Sequence, residues 1–183
     1  MPRMTRWVVP IVAVLTMSGC IAKLDPIPVV FSRTADGTLV AEVPLCAGET
    51  VRSVTVGMTV RGVYRSAGNT GVDSPNPSDA TLTLDLSPEA IATGSLTDQL
   101  PVRAGHLLSP DQAVPDRLSF GMSTKRTDAF VSLIDVNPEP GKPVLVMGEV
   151  TAHNKSTAIT AIDPASATAL LDTWCADQRA QKS

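Results

Sequence analysis

Apolar and polar residues alternate with a period of two along most of this chain, the pattern of strands with one face on a core and the other in water. Leu39, Ala41, Val43 and Leu45 alternate with Val40, Glu42 and Pro44, and Val54, Val56, Met58 and Val60 alternate with Thr55, Gly57 and Thr59. Ala80, Leu82, Leu84 and Leu86 oppose Thr81, Thr83 and Asp85, while Leu118, Phe120 and Met122 oppose Ser119 and Gly121. Further strands are expected over residues 29–33, 129–136, 144–150 and 157–162, and the runs 129–136 and 144–150 are apolar enough to be covered on both faces.

Turn chemistry separates these runs. Ala35-Asp36-Gly37 suits a hairpin, with Gly37 free to take positive φ, and Cys46-Ala47-Gly48-Glu49 makes the next reversal. Pro44 has no N–H for a ladder, so its strand is expected at a sheet edge. Gly62 sits where the alternation shifts and suggests a bulge or bend, and residues 66–79 read as the longest polar loop. Ser87-Pro88-Glu89-Ala90 looks like a helix start, after which Pro101, Pro110 and Pro115 break whatever follows. Near the C-terminus the period changes. Asp163 suits an N-cap and Pro164 a first helical position, and Ala167, Leu170, Leu171, Trp174 and Cys175 recur at helical spacing, which predicts one amphipathic helix over 164–179 with Trp174 facing inward. Many short strands without a β-α-β rhythm predict a mainly β fold: a two-sheet antiparallel sandwich of broadly immunoglobulin-like architecture, closed by one C-terminal helix. An open barrel with a covering helix is the alternative.

The first twenty residues follow another logic. Arg3 and Arg6 precede an apolar run from Trp7 to Thr16, a core too short to span a bilayer of roughly 30 Å as a permanent helix. The run ends in Met17-Ser18-Gly19-Cys20, which resembles the lipobox of bacterial lipoproteins, with Met17 standing where leucine is usual. The resemblance implies that residues 1–19 are a signal peptide and that the Cys20 sulfur carries a diacylglyceryl group, holding the protein on the extracytoplasmic side of the cell membrane. Residues 20–28, with two prolines and no periodicity, then read as a short tether to a single domain over 29–183. The Leu-Cys-Ala-Gly-Glu-x-Val-Arg-Ser-Val stretch of residues 45–54 is similar to small lipoproteins of high-GC actinobacteria, a resemblance that implies no activity.

Cleavage before Cys20 removes two of the 15 basic residues and none of the 18 acidic ones, so 13 − 18 leaves a formal charge of −5. With no basic patch to neutralise phosphates, nucleic acid is not an expected partner, and the membrane partner is lipid held through Cys20 rather than by charge. Beyond residue 19, Trp174 is the only tryptophan and Tyr64 the only tyrosine, so the core is expected to be aliphatic. If Cys20 is acylated, Cys46 and Cys175 remain as an even pair in an oxidising compartment, and a disulfide between them is the expectation. Two separate buried thiols, beside Leu45 and Trp174, are the alternative.

No reaction is identified by the remaining residues. His106 and His153 lie in different segments without an acidic or cysteine neighbour at a ligand spacing, and Met58, Met122 and Met147 sit in strand patterns that favour core packing over copper binding. G-x-S-x-G, S-x-x-K and H-E-x-x-H do not occur, and Pro140-Gly141-Lys142-Pro143 is a turn rather than a phosphate loop. The oxygen-rich run from Asp73 to Asp79 lacks the downstream bidentate Glu of a calcium loop, and Asn154-Lys155-Ser156 carries little meaning beside a bacterial lipobox. No cofactor and no catalytic residue are therefore expected. Three classes of function follow: a non-catalytic binding or interaction module on the envelope, which is preferred; an accessory subunit of a membrane complex; and an envelope hydrolase. Replacing Cys20 with Ala is expected to release the protein from the membrane fraction or leave the precursor uncut. A Cys20→Ala variant that still partitions with lipid at the processed size would contradict the anchor.

Overall fold

The computed structural model describes residues 27–60, 63–72, 74–103, 119–124, 128–132, 138–150 and 155–182. Cys20, the signal segment, His106, His153 and Asp73 lie outside them. Ten strands and two helices follow in the order β1 (Pro28–Arg33), β2 (Leu39–Leu45), β3 (Val51–Val60), β4 (Val63–Thr70), β5 (Ala80–Asp85), α1 (Pro88–Thr93), β6 (Val102–Arg103), β7 (Ser119–Thr124), β8 (Asp128–Ser132), β9 (Val144–Val150), β10 (Lys155–Ala161) and α2 (Pro164–Lys182). All pairings are antiparallel. One sheet, A, has the order β10-β9-β1-β2-β5 and the other, B, the order β6-β4-β3-β7-β8. This is the two-sheet antiparallel sandwich with a C-terminal helix that the alternation predicts.

The inward rows meet in one core, mainly aliphatic around the rings of Phe31 and Phe120. Val29, Phe31, Ala41, Val43, Leu82 and Leu84 of sheet A pack with Val54, Val56, Phe120 and Met122 of sheet B, and Ile91, Leu96 and Leu100 close the layer from the segment after β5. Between Val51 and Ser53 the β3–β7 register shifts by one residue. That irregularity lets Val51 and Val54, at opposite parity, both bury their side chains. Helix α1 starts as its sequence suggests: the Ser87 side chain accepts from the Ala90 N–H at 3.2 Å, Pro88 occupies the first turn and Gly94 ends the helix at φ 75°.

Three local expectations change. Residues 66–70 belong to strand β4 rather than to a polar loop. The inward positions of β4 are Ala67 and Asn69, which pair with Val56 and Val54, so no apolar alternation marks the strand. Asn69 is 1% exposed, and its amide supplies what the pattern lacks. Nδ2 donates to the Thr97 carbonyl at 3.0 Å and the Leu100 carbonyl at 2.8 Å, while Oδ1 accepts from the Leu96 N–H at 2.8 Å. A buried polar side chain is tolerable because each of these bonds replaces one made to water.

Pro44 does not mark an edge either, because β2 lies inside sheet A between β1 and β5. The β1–β2 register, in which Val30 faces Glu42, would place Pro28 opposite Pro44, and the pairing stops short of that point. Neither proline has an N–H to give, so the ladder ends there without orphaning a donor. Ile27 and Pro28, expected in the tether, are buried, and Pro28 opens β1.

Cys46, just past β2, is joined to Cys175 of α2 across 129 positions of sequence, with the Cα atoms 5.3 Å apart. By the chain-entropy account, closing a loop of that length constrains the unfolded chain by on the order of 5 kcal/mol. Alkylation of the exported protein is expected to find both thiols masked until reduction; free Cys46 or Cys175 in protein taken from the envelope would contradict this. Asn69→Ala, which strands two carbonyls and one N–H in the core, is expected to cost about 2–4 kcal/mol by denaturant titration. A change under about 0.5 kcal/mol would show that the network does not hold the 96–100 segment.

Candidate functional site

The outer face of sheet A is where sequence and fold combine into a cleft. Reading across the five strands along the register, Thr160, Leu145, Val30, Glu42 and Thr83 form one outward row. Leu145 and Val30 cannot face water without cost, and α2 lies over them: Val30 packs with Ala167 and Leu171, joined by Leu145 and Ile162. The helix is held at both ends. Asp163 caps its start, its carboxylate accepting the Ser166 N–H at 2.9 Å. Its C-terminal half is fixed by the disulfide and by Arg179, whose two terminal nitrogens donate to the Asp79 carboxylate at 2.9 and 2.7 Å. This pair is exposed, so it adds little stability, but the Arg179 guanidinium holds the Asp79 carboxyl down to about 2.

Beside the helix contact, α2 and the sheet leave a groove of about 330 Å³. Glu42 lies in it, between its cross-strand neighbours Val30 and Thr83. Glu42 is partly buried, and loss of water around the carboxyl pushes its pKa above the ordinary glutamate range. No hydrogen bond or ion pair to another described residue answers this charge. Asp172 of α2 also lines the groove, as do the hydroxyls of Ser32, Thr81 and Thr168. The nearby cation is already engaged: Arg33 donates from Nε to the Pro138 carbonyl at 3.1 Å and from Nη1 to the Gly37 carbonyl at 2.7 Å. The result is a polar recess with two carboxylates and several hydroxyls, and with an aliphatic side made by Val30, Ala167 and Leu171.

A second cleft, of about 240 Å³, opens at the end of the sandwich where β2 finishes at Leu45 and β5 begins at Ala80. It is lined chiefly by Leu45, Val51, Val72, Leu82 and Leu100 beneath the 74–77 segment. That segment is pinned to the Cys46–Glu49 turn, with the Gly48 N–H donating to Asn76 O at 2.9 Å and the Asn76 N–H to Glu49 O at 2.7 Å. Asn76 is thus committed to the fold, its side chain also donating to the Leu45 carbonyl at 3.4 Å.

The residues singled out in the sequence fall in different places. Cys46 and Cys175 come together at the base of α2, and Met122 is in the core. Met147 is half-buried on β9. Trp174 is also half-buried, as is Leu170; the fully buried stripe of α2 is narrower than expected and consists of Ala167, Leu171 and Cys175. Among the described residues, no group of three or more His, Cys, Asp and Glu side chains is placed to hold a metal, and no helix is long and apolar enough to cross a membrane. Glu42 was visible as an outward strand position. Its significance depends on the helix above it, and the only local hint was the unbroken Val29-Val30-Phe31, which leaves apolar side chains on both faces of β1. Compared with known proteins, the chain matches no family model, no curated protein and no solved structure.

Since the native state raises the Glu42 pKa, it binds the proton more tightly than the unfolded chain, and stability falls as pH rises through that range. Glu42→Gln is therefore expected to be at least as stable as the parent at pH about 7, with the difference vanishing below pH about 4 where both carry a neutral side chain. A Gln variant that is clearly less stable at neutral pH would show that the carboxylate has a structural partner. Trp174→Ala, removing a half-buried ring, is expected to cost about 1–2 kcal/mol rather than the roughly 3–5 kcal/mol of a fully buried aromatic. Native tryptophan emission should be quenched by acrylamide to an intermediate degree; full shielding would contradict the placement.

Proposed function

We propose that this protein is a lipid-anchored, non-catalytic binding module of the cell envelope, held by an acylated Cys20 on the extracytoplasmic side, and that its binding cleft is the groove between α2 and the outer face of sheet A. The observation that carries this reading is Glu42: a partly buried carboxylate with no partner among the described residues, in a recess walled by elements that a disulfide holds in place. A protein bears the desolvation of such a group where something outside the fold benefits from it. What supports recognition in this reading is the makeup of the groove, in which Glu42 and Asp172 stand beside an aliphatic side of Val30, Ala167 and Leu171.

In this reading the anchor limits how far the domain can stand from the membrane. From Cys20 to Pro26 the tether has seven residues, which reach at most about 25 Å when fully extended. The domain therefore stays close to the bilayer, with its entry end, the disulfide and the second cleft toward the lipid. The α2 N-terminus and the 34–38 hairpin point away, at the opposite end of sheet A.

Two measurements test this reading. Intact mass of the protein purified from membranes is expected to show diacylglyceryl on Cys20. A fragment screen followed by amide chemical shifts is expected to gather its hits at Val30, Glu42, Thr83 and Leu171. An unmodified Cys20 would remove the anchor, and hits confined to other surfaces would remove the cleft.

A further inference from the structure

The geometry points to a primary ammonium on a short alkyl stem as the ligand of the α2 groove, an assignment that rests on the groove being the binding cleft proposed above. The charge of the ligand follows from what the groove offers. Two carboxylates line it, Glu42 from β2 and Asp172 from α2, as do the hydroxyls of Thr81 and Thr83. The Thr168 hydroxyl donates its proton back to Pro164 O at 3.0 Å, so toward the groove it can only accept. Arg33 is turned to backbone carbonyls, and the positive end of the α2 dipole is answered by Asp163. An anion would meet uncompensated carboxylates, and a neutral polar group would leave the Glu42 charge unpaired.

The shape of the cation follows from the walls. No aromatic ring lines the groove, so a quaternary ammonium would find no π-face to rest on. An ammonium head instead brings three N–H donors to a set of acceptors, while an alkyl stem lies along Val30, Ala167 and Leu171. A free alkylamine and a lysine side chain on another polypeptide share this chemistry.

The test uses the processed full-length protein in detergent micelles, followed by amide chemical shifts. The probes are n-pentylamine, n-pentanol, n-pentanoate and Nα-acetyl-lysine N-methylamide, whose free ε-ammonium mimics a chain-borne lysine. Saturable shifts at Glu42 and Thr83 are expected with the two amines, binding about tenfold weaker or less with pentanol, and none with pentanoate. Glu42→Gln is expected to weaken amine binding about tenfold or more without lowering the unfolding midpoint, and Asp172→Asn to weaken it less. Response to pentylamine alone assigns a small-molecule amine, response to the lysine mimic assigns a partner polypeptide, and either supports the inference. Equal binding of pentanol, or amine binding unchanged in Glu42→Gln, overturns the ammonium assignment while leaving the groove as a cleft for another chemistry. Absence of any probe from the groove, together with fragment hits elsewhere, overturns both.

Discussion

Sheet A carries apolar side chains on both of its faces, and the rest of the molecule is organised around that constraint. Phe31 and Val29 point into the sandwich, but Val30 between them points outward, toward Leu145 on the neighbouring strand. A sheet with this composition needs a layer on each side. Sheet B supplies one and α2 the other, so the molecule is a three-layer stack over part of its width rather than a bare sandwich. The helix buries only the stripe of Ala167, Leu171 and Cys175, with Leu170 and Trp174 half-covered. So narrow an apolar contact would be a weak hold by itself, which explains why a covalent link at Cys175 matters more here than it would under a broad helix interface.

The same constraint creates the groove. Along the outward row, the aliphatic pair Leu145 and Val30 gives way to Glu42 and Thr83. The helix sits tightly where the row is apolar and leaves space where it turns polar. A leucine at position 42 would extend the apolar surface under α2. The acidic residue leaves a recess and a charge, and the fold tolerates both.

Strands whose inward row is aliphatic were legible from alternation alone, which is why β2, β5 and β7 could be recognised from Leu39, Leu82 and Phe120 and their neighbours. Strand β4 could not, because its inward residues are Ala67 and Asn69, and the partners that satisfy Asn69 lie near residues 96–100, far along the chain. Pro44 misled for a related reason. It shows that one donor is missing but not on which side, and here the missing bond falls where β1 has a proline of its own. The helix and its cysteine were readable from local signals at Asp163, Pro164 and the spacing to Cys175. The cleft was not, since it arises from the meeting of a strand residue and a helix 130 positions apart, Glu42 and Asp172.

The two prolines at this end of β1 and β2 have a mechanical meaning. Strand β1 is interior to its sheet, hydrogen-bonded to β9 on one side and to β2 on the other. Any pull transmitted through the residues before Ile27 therefore enters along the axis of β1 and loads those bonds in shear, together rather than one after another. Pro28 and Pro44 mark where that load begins. Among the described residues the pairing of β1 begins at this point, so tension applied ahead of Ile27 would be delivered at once to a strand supported on both sides.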